Sequence, residues 1–196
     1  MTRRIKSEIL LTDSEKGALD AGAHGVVVPL LKTAEDARKV VDACKFPPQG
    51  SRGFGSPFPM GSFNPGLTQL EYLQQANDSL VTIVQIETKE ALENISEIAN
   101  VPGIDVLFVG PFDLGNNIGY PIQGQMAPEL KQAIAKVLQV ANEANKAAGI
   151  YATSGGQAKE YAQQGFHLIS AATDVASLAA SMSAAVSQGR SGVASG

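Results

Sequence analysis

The chain has one cysteine, two histidines, no cluster of basic residues and no long apolar run. Each shortage excludes something. A single cysteine, Cys44, cannot close an internal disulfide. It shares a helical pattern with Ala37, Val40 and Val41, where a thiol serves as a small buried or half-buried group rather than a nucleophile. Lys and Arg number 15 against 19 Asp and Glu, for a net charge of -4, so nucleic acid is not an expected partner. No stretch approaches the roughly 20 apolar residues that a membrane-spanning helix needs. Basic residues open the chain, but Glu8, Asp13 and Glu15 among them argue against a targeting peptide. With one cysteine and no apolar leader, the expected location is cytoplasmic.

What is present reads as one soluble globular domain. At 196 residues, 44% hydrophobic and 17% charged, the chain can bury a sizeable core. Ser14 to Ala21 reads as the end of a helix stopped by Gly22. Gly25 to Leu31 reads as a buried strand, and Thr33 caps a helix with Asp36 three residues on. Residues 46–66 hold five prolines and five glycines and read as one long loop. A short helix follows over Thr68 to Ala76. Beyond Asp113 the expectations are a helix from Pro128 to about Ala148 ended by Gly149, and a strand from Ile150 to Thr153. A helix from Gly156 to Gln164 closed by Gly165, a strand from His167 to Ala171 and a helix from Asp174 to Ser187 complete the series. Residues 188–196 are expected to be a mobile tail.

The stretch around which the rest is organised is 81–113. Val81 to Glu87 is β-branched and apolar until Gln85 and Glu87, which point the same way because strand side chains alternate. Thr88 caps a helix whose apolar positions run to Ala99. Ile104 to Val109 is a second buried strand, and Gly110-Pro111-Phe112-Asp113 is the loop leaving it. So short a strand–helix–strand unit implies parallel strands. Glu87 and Asp113 then share the C-terminal rim, where α/β barrels place their chemistry. Two carboxylates there can hold a hard divalent cation through oxygen. The alternative reading is a pair of helix-capping or solvated acids. Five strands, each followed by a helix, give the α/β pattern of an incomplete (β/α)8 TIM barrel, with about three units absent from the front. The inner faces of Val26, Val28 and Ile169 are expected to border the gap.

Four segments, ALDAGAHGVVVPLLKTAEDARKVV (18–41), KFPPQGSRGFGSP (45–57), VQIETKEALENI (84–95) and VGPFDL (109–114), together resemble the HpcH/HpaI aldolase family of metal-dependent 2-keto-acid aldolases. The resemblance divides the chain into a non-matching segment 1–16, a partial aldolase barrel 17–187 and the tail 188–196. It implies metal ligation by Glu87 and Asp113, with Mg2+, Mn2+ or Co2+ as the cofactor. It implies substrate contacts from Gln85, Gly110, Phe112 and Asp113, the backbone amides of Phe112 and Asp113 receiving the substrate carboxylate. Phe112 replaces the small residue common in the family and is expected to narrow the pocket. The implied reaction is retro-aldol cleavage of a 4-hydroxy-2-oxo acid to pyruvate and an aldehyde. A citrate-lyase-like reaction on a CoA ester fits the 45–57 loop less well.

The family's acid/base His and its keto-contacting Arg precede the matched region, so no catalytic base is assigned here. His24 and His167 fall at N-terminal strand ends and read as structural. Arg3 and Arg4 lie in unmatched sequence. Arg52 reads either as a residue of the site mouth or a subunit contact, or as a loop-anchoring ion pair. The resemblance also implies a homo-oligomer or association with another chain, and leaves open a catalytically dead metal-binding fragment.

Overall fold

A computed structural model describes residues 15–191. Segment 1–14, with Arg3 and Arg4, and residues 192–196 lie outside it. The elements in order are α1 (15–20), β1 (Gly25–Val28), α2 (Ala34–Cys44), α3 (Phe58–Phe63), α4 (Gln69–Ser79), β2 (Val81–Ile86), α5 (Lys89–Glu93), α6 (Ile95–Ala99) and β3 (Val106–Val109). There follow α7 (Pro111–Asn117), α8 (Pro128–Glu143), β4 (Ala147–Tyr151), α9 (Gly155–Gln164), β5 (Leu168–Ser170) and α10 (Asp174–Ser191).

The strands form one sheet in chain order, and every pair is parallel. Among the described residues this is the α/β arrangement of an incomplete barrel of five βα units, with β1 and β5 at its two edges. Register puts Val26, Val28, Val84, Ile86, Leu107, Val109, Ala148 and Ile150 on one face, all buried against the helices. The other face carries Val27, Val81 and Leu168, which are 49%, 41% and 41% exposed. This corrects the expectation for Val26, Val28 and Ile169. Alternation turns those three toward the helices, and it is Val27 and Leu168 that look into the open side.

Several boundaries moved for local reasons. β1 ends at Val28 because Pro29 cannot donate to a ladder and Leu30 turns left-handed at φ 57°. The 46–66 loop contains α3, started by proline within its first turn. The helix after Thr88 breaks at Asn94 into α5 and α6. The 110–113 loop is instead the start of α7, with Gly110 as N-cap and Pro111 in the first turn. α8 stops at Glu143, where Asn145 takes φ 55°, Asn145 N–H donates to Asn142 and Lys146 N–H to Ala141. Gly149 therefore does not end a helix. It lies inside β4, where a Cβ would stand 2.5 Å from Phe108 Cδ2. Residues 188–191 continue α10 rather than forming tail.

The N-terminal ends of the strands are closed by structural polar contacts. Buried Lys45 donates to the carbonyls of Asn77 and Leu80 at 2.7 and 2.8 Å. Buried Arg52 pairs with Asp20 at 2.9 Å and stacks 4.6 Å from the Phe46 ring centroid. Of the two readings of Arg52, the loop-anchoring ion pair is the one formed. Burial pushes the Asp20 carboxyl up, but hydrogen bonds from Lys16 and Arg52 outweigh it and hold it below the usual range. The Cys44 thiol is pushed up to about 12, first by burial and then by the Glu15 charge, so it stays protonated and inert.

Candidate functional site

The rim at the C-terminal ends of β2 and β3 is set by the strand register. Ile86 pairs with Val109, so the residues that follow, Glu87 and Gly110, leave the sheet side by side. Glu87 is buried, 3% exposed. Its Oε1 accepts from the Leu30 N–H at 2.8 Å and its Oε2 from Gln85 Nε2 at 3.2 Å. Gln85 reaches it because both residues point to the same side of β2. The cap of α5 belongs to the neighbour, Thr88, whose hydroxyl accepts from Ala91 N–H at 3.0 Å. Glu87 is therefore neither a helix cap nor a solvated acid.

Asp113 lies in the first turn of α7 and is exposed. Burial raises the Glu87 carboxyl above the usual carboxylate range. The Leu30 amide opposes this, and the charge of Asp113 adds to it. The charge of Asp113 is thus felt at Glu87 across the rim, as a smaller effect than burial. Among the described residues no three His, Cys, Asp or Glu side chains converge as a closed metal cage. A two-carboxylate oxygen site still suits a hard cation that keeps water or substrate oxygens as its other ligands. Each carboxylate oxygen of Glu87 has lone pairs beyond its one hydrogen bond, so the donor set fits.

Gly110 has φ -97°, which any residue adopts. Its role is space: a Cβ there would stand 2.5 Å from Glu87 Oε2 and 3.4 Å from Gln85 Nε2. Gly110→Ala is expected to displace the carboxylate without harming the fold. The expected loss is about 100-fold in any activity that depends on the rim, measured beside an unchanged far-ultraviolet spectrum.

Phe112 is exposed and sets its ring edge-on to Tyr151, centroids 6.4 Å apart. The pair borders a cavity of about 230 Å³ that also touches Ile122, Met126, Thr153 and Gln157. Gln85, Glu87, Gly110, Phe112 and Asp113 are therefore all brought to one rim. The histidines are not. His24 stacks on Phe63 with centroids 4.2 Å apart, just before β1, and His167 precedes β5, its Nδ1 accepting from Ala148 N–H at 3.4 Å. Sequence reasoning missed two participants, the Leu30 amide and Tyr151. Tyr151 ends its strand at the same rim, a signal obscured by the misplaced start of β4. Nothing in the sequence marks the Leu30 amide.

A family model described as HpcH/HpaI aldolase/citrate lyase matches residues 4–181. The chain is 38% identical over 173 residues to a hydroxypyruvate/pyruvate aldolase of Rhizorhabdus wittichii, covering 88% of this chain and 67% of the relative. It is also 38% identical over 164 residues to a 4-hydroxy-2-oxo-heptane-1,7-dioate aldolase of Shigella flexneri, covering 84% of this chain and 60% of the relative. The chain thus spans 60 to 67% of the length of these relatives. Its fold matches the crystal structure of an HpcH/HpaI aldolase from Desulfitobacterium hafniense with a TM-score of 0.82 at 28% identity, over 90% of this chain and 68% of that one.

Proposed function

The chain belongs to the HpcH/HpaI aldolase/citrate lyase family, and from that premise we propose that it carries the metal half of an aldehyde-lyase site that cleaves a 4-hydroxy-2-oxo acid to pyruvate and an aldehyde. The observation behind this reading is the placement of Glu87 and Asp113 just beyond the C-terminal ends of the adjacent parallel strands β2 and β3, with the Glu87 carboxylate buried. Mg2+, Mn2+ or Co2+ would be held by these two side chains and would supply Lewis acidity toward the keto oxygen of a bound 2-oxo acid.

The chain's own groups do the rest. Leu30 N–H and Gln85 fix both oxygens of Glu87. Gln85 is half-buried beside the substrate space. The first-turn amides of Phe112 and Asp113 have no acceptor within α7 and can receive the substrate carboxylate. Phe112 and Tyr151 wall the space beside them with apolar surface. Calorimetric titration with Mn2+ tests the reading. One ion per chain is expected for the wild type and none for Asp113→Asn, and equal binding by both proteins would overturn it.

A second reading is a metal-binding chain without turnover, the interaction partner of a complete aldolase. It is favoured by the position of both described histidines at the opposite ends of the strands, where neither reaches the rim. We further propose assembly with a second copy or another chain. α10 has no buried residue and exposes Val175, Leu178, Met182 and Val186 at helical spacing. Light scattering at micromolar concentration is expected to give a mass above the 20.4 kDa of one chain, and a monomer would remove this part of the proposal.

A further inference from the structure

We infer that Leu30 is a positioning residue that acts through its main chain: its left-handed backbone aims one N–H at Glu87 Oε1 and so sets how that carboxylate faces the rim. The inference rests on the metal reading of Glu87 and extends it to a residue whose side chain takes no part.

Three observations carry it. Leu30 has φ 57°, in a region that non-glycine residues seldom occupy outside sites where the surroundings hold them there. Its side chain is 61% exposed, so no packing of that side chain explains the conformation. The neighbouring links do explain it. Leu30 N–H donates to Glu87 at 2.8 Å, Leu31 C=O accepts from Thr88 Oγ1 at 3.0 Å, and Lys32 C=O accepts from Asn94 Nδ2 at 3.0 Å. Three consecutive residues of the β1–α2 connection are thereby stitched to Glu87 and Thr88 of the β2–α5 connection and to Asn94 at the break between α5 and α6. On the far side, Asp36 accepts from Thr33 N–H at 2.9 Å and ties the loop to the start of α2. The kink turns the chain just after Pro29 so that an amide, rather than a carbonyl, meets the buried oxygen. A carboxylate held at both oxygens by fixed donors presents its remaining lone pairs in one direction, as metal ligands held by outer hydrogen bonds do.

Leu30→Val and Leu30→Gly separate backbone from side chain. A β-branched residue resists the left-handed conformation, whereas glycine adopts it freely. Leu30→Val is expected to weaken Mn2+ binding about 10- to 100-fold, the range for loss of an outer partner of a metal ligand. Leu30→Gly is expected to keep wild-type affinity. Equal affinity for wild type and Leu30→Val would overturn the inference, as would a loss in Leu30→Gly matching that in Leu30→Val. A second measurement needs no metal. By NMR hydrogen exchange, the Leu30 amide of the wild type should be protected and should lose that protection in Glu87→Ala. A Leu30 amide that exchanges freely in the wild type overturns the inference whatever the ion does. Should the wild type bind no Mn2+ while this amide is protected by Glu87, the metal reading fails and the positioning of Glu87 stands.

Discussion

Glu87→Gln is expected to abolish divalent-cation binding and, in the metal-free protein, to raise thermal stability at neutral pH. Glutamine keeps the size of the side chain, and its carbonyl can still accept from the Leu30 N–H. It removes the charge that a cation needs. The loss of Mn2+ affinity should exceed the roughly 100-fold typical of outer-partner changes, because a ligand itself is altered. The stability effect follows from burial. The folded-state carboxyl titrates above its ordinary value of 4.5, chiefly because burial penalises the charge. The folded protein therefore holds this proton more tightly than the unfolded chain. The resulting stability is fully present below about pH 4.5 and is lost as pH rises through the folded-state value. At neutral pH the ionised Glu87 is a net cost, and Asp113 adds to it. The variant does not titrate here, so its advantage should open as pH rises above about 4.5 and close below it. Each kcal/mol recovered should appear as about 2–4 °C in Tm for a chain of this size. Scanning calorimetry from pH 4 to 8 measures this. A variant less stable than wild type at every pH, or one that still binds Mn2+, would contradict the role given to Glu87.

The second large effect concerns turnover. Pyruvate release from a 4-hydroxy-2-oxo acid by this chain, with Mn2+ or Mg2+ added, is expected to fall about 10²- to 10⁴-fold below that of a full-length relative. That range is the usual contribution of a positioned acid/base group. The rim built from β2 and β3 carries the proposed ligands Glu87 and Asp113 and the amides proposed to bind a carboxylate, but no described histidine. His24 and His167 immediately precede β1 and β5, and a side chain at that end cannot reach across the sheet to a hydroxyl at the other. A coupled lactate dehydrogenase assay, recording pyruvate as it forms, compares the two proteins directly. A rate equal to that of the full-length relative would mean that another group at the rim takes the proton. Weak but saturable release that disappears in Asp113→Asn would place the residual activity at the rim described here.

Much of this molecule could be read from the residues in order. The alternation in VTIVQIE put Gln85 and Glu87 on one side of β2, and period-2 geometry leaves no other choice. Thr33 with Asp36, and Thr88 before an apolar helical stripe, marked helix starts, because an orphan N–H needs a side-chain oxygen within three residues. Parallel pairing followed from short crossovers, which set the two carboxylates at one rim. These are local properties of covalent geometry and hydrogen bonding, and one sequence is enough to express them. The errors arose where the deciding partner is distant in the chain. Gly149 reads as a helix stop until Phe108, brought alongside by β3–β4 pairing, fills the space above it. Val26 and Val28 read as facing the gap until register with β2 assigns each side chain its face. Arg52 admits two readings until Asp20 arrives at 2.9 Å. The left-handed turn at Leu30 has no signal in its own neighbourhood, since leucine there is disfavoured. The hydrogen bonds that join Leu30, Leu31 and Lys32 to Glu87, Thr88 and Asn94, some 60 residues away, are what accompany that backbone in the fold. The sequence alone thus determined which residues would stand at the rim. The tertiary structure decided how the buried carboxylate is held there, because the second of its two donors comes from another strand's loop and is a main-chain atom that every residue but proline possesses.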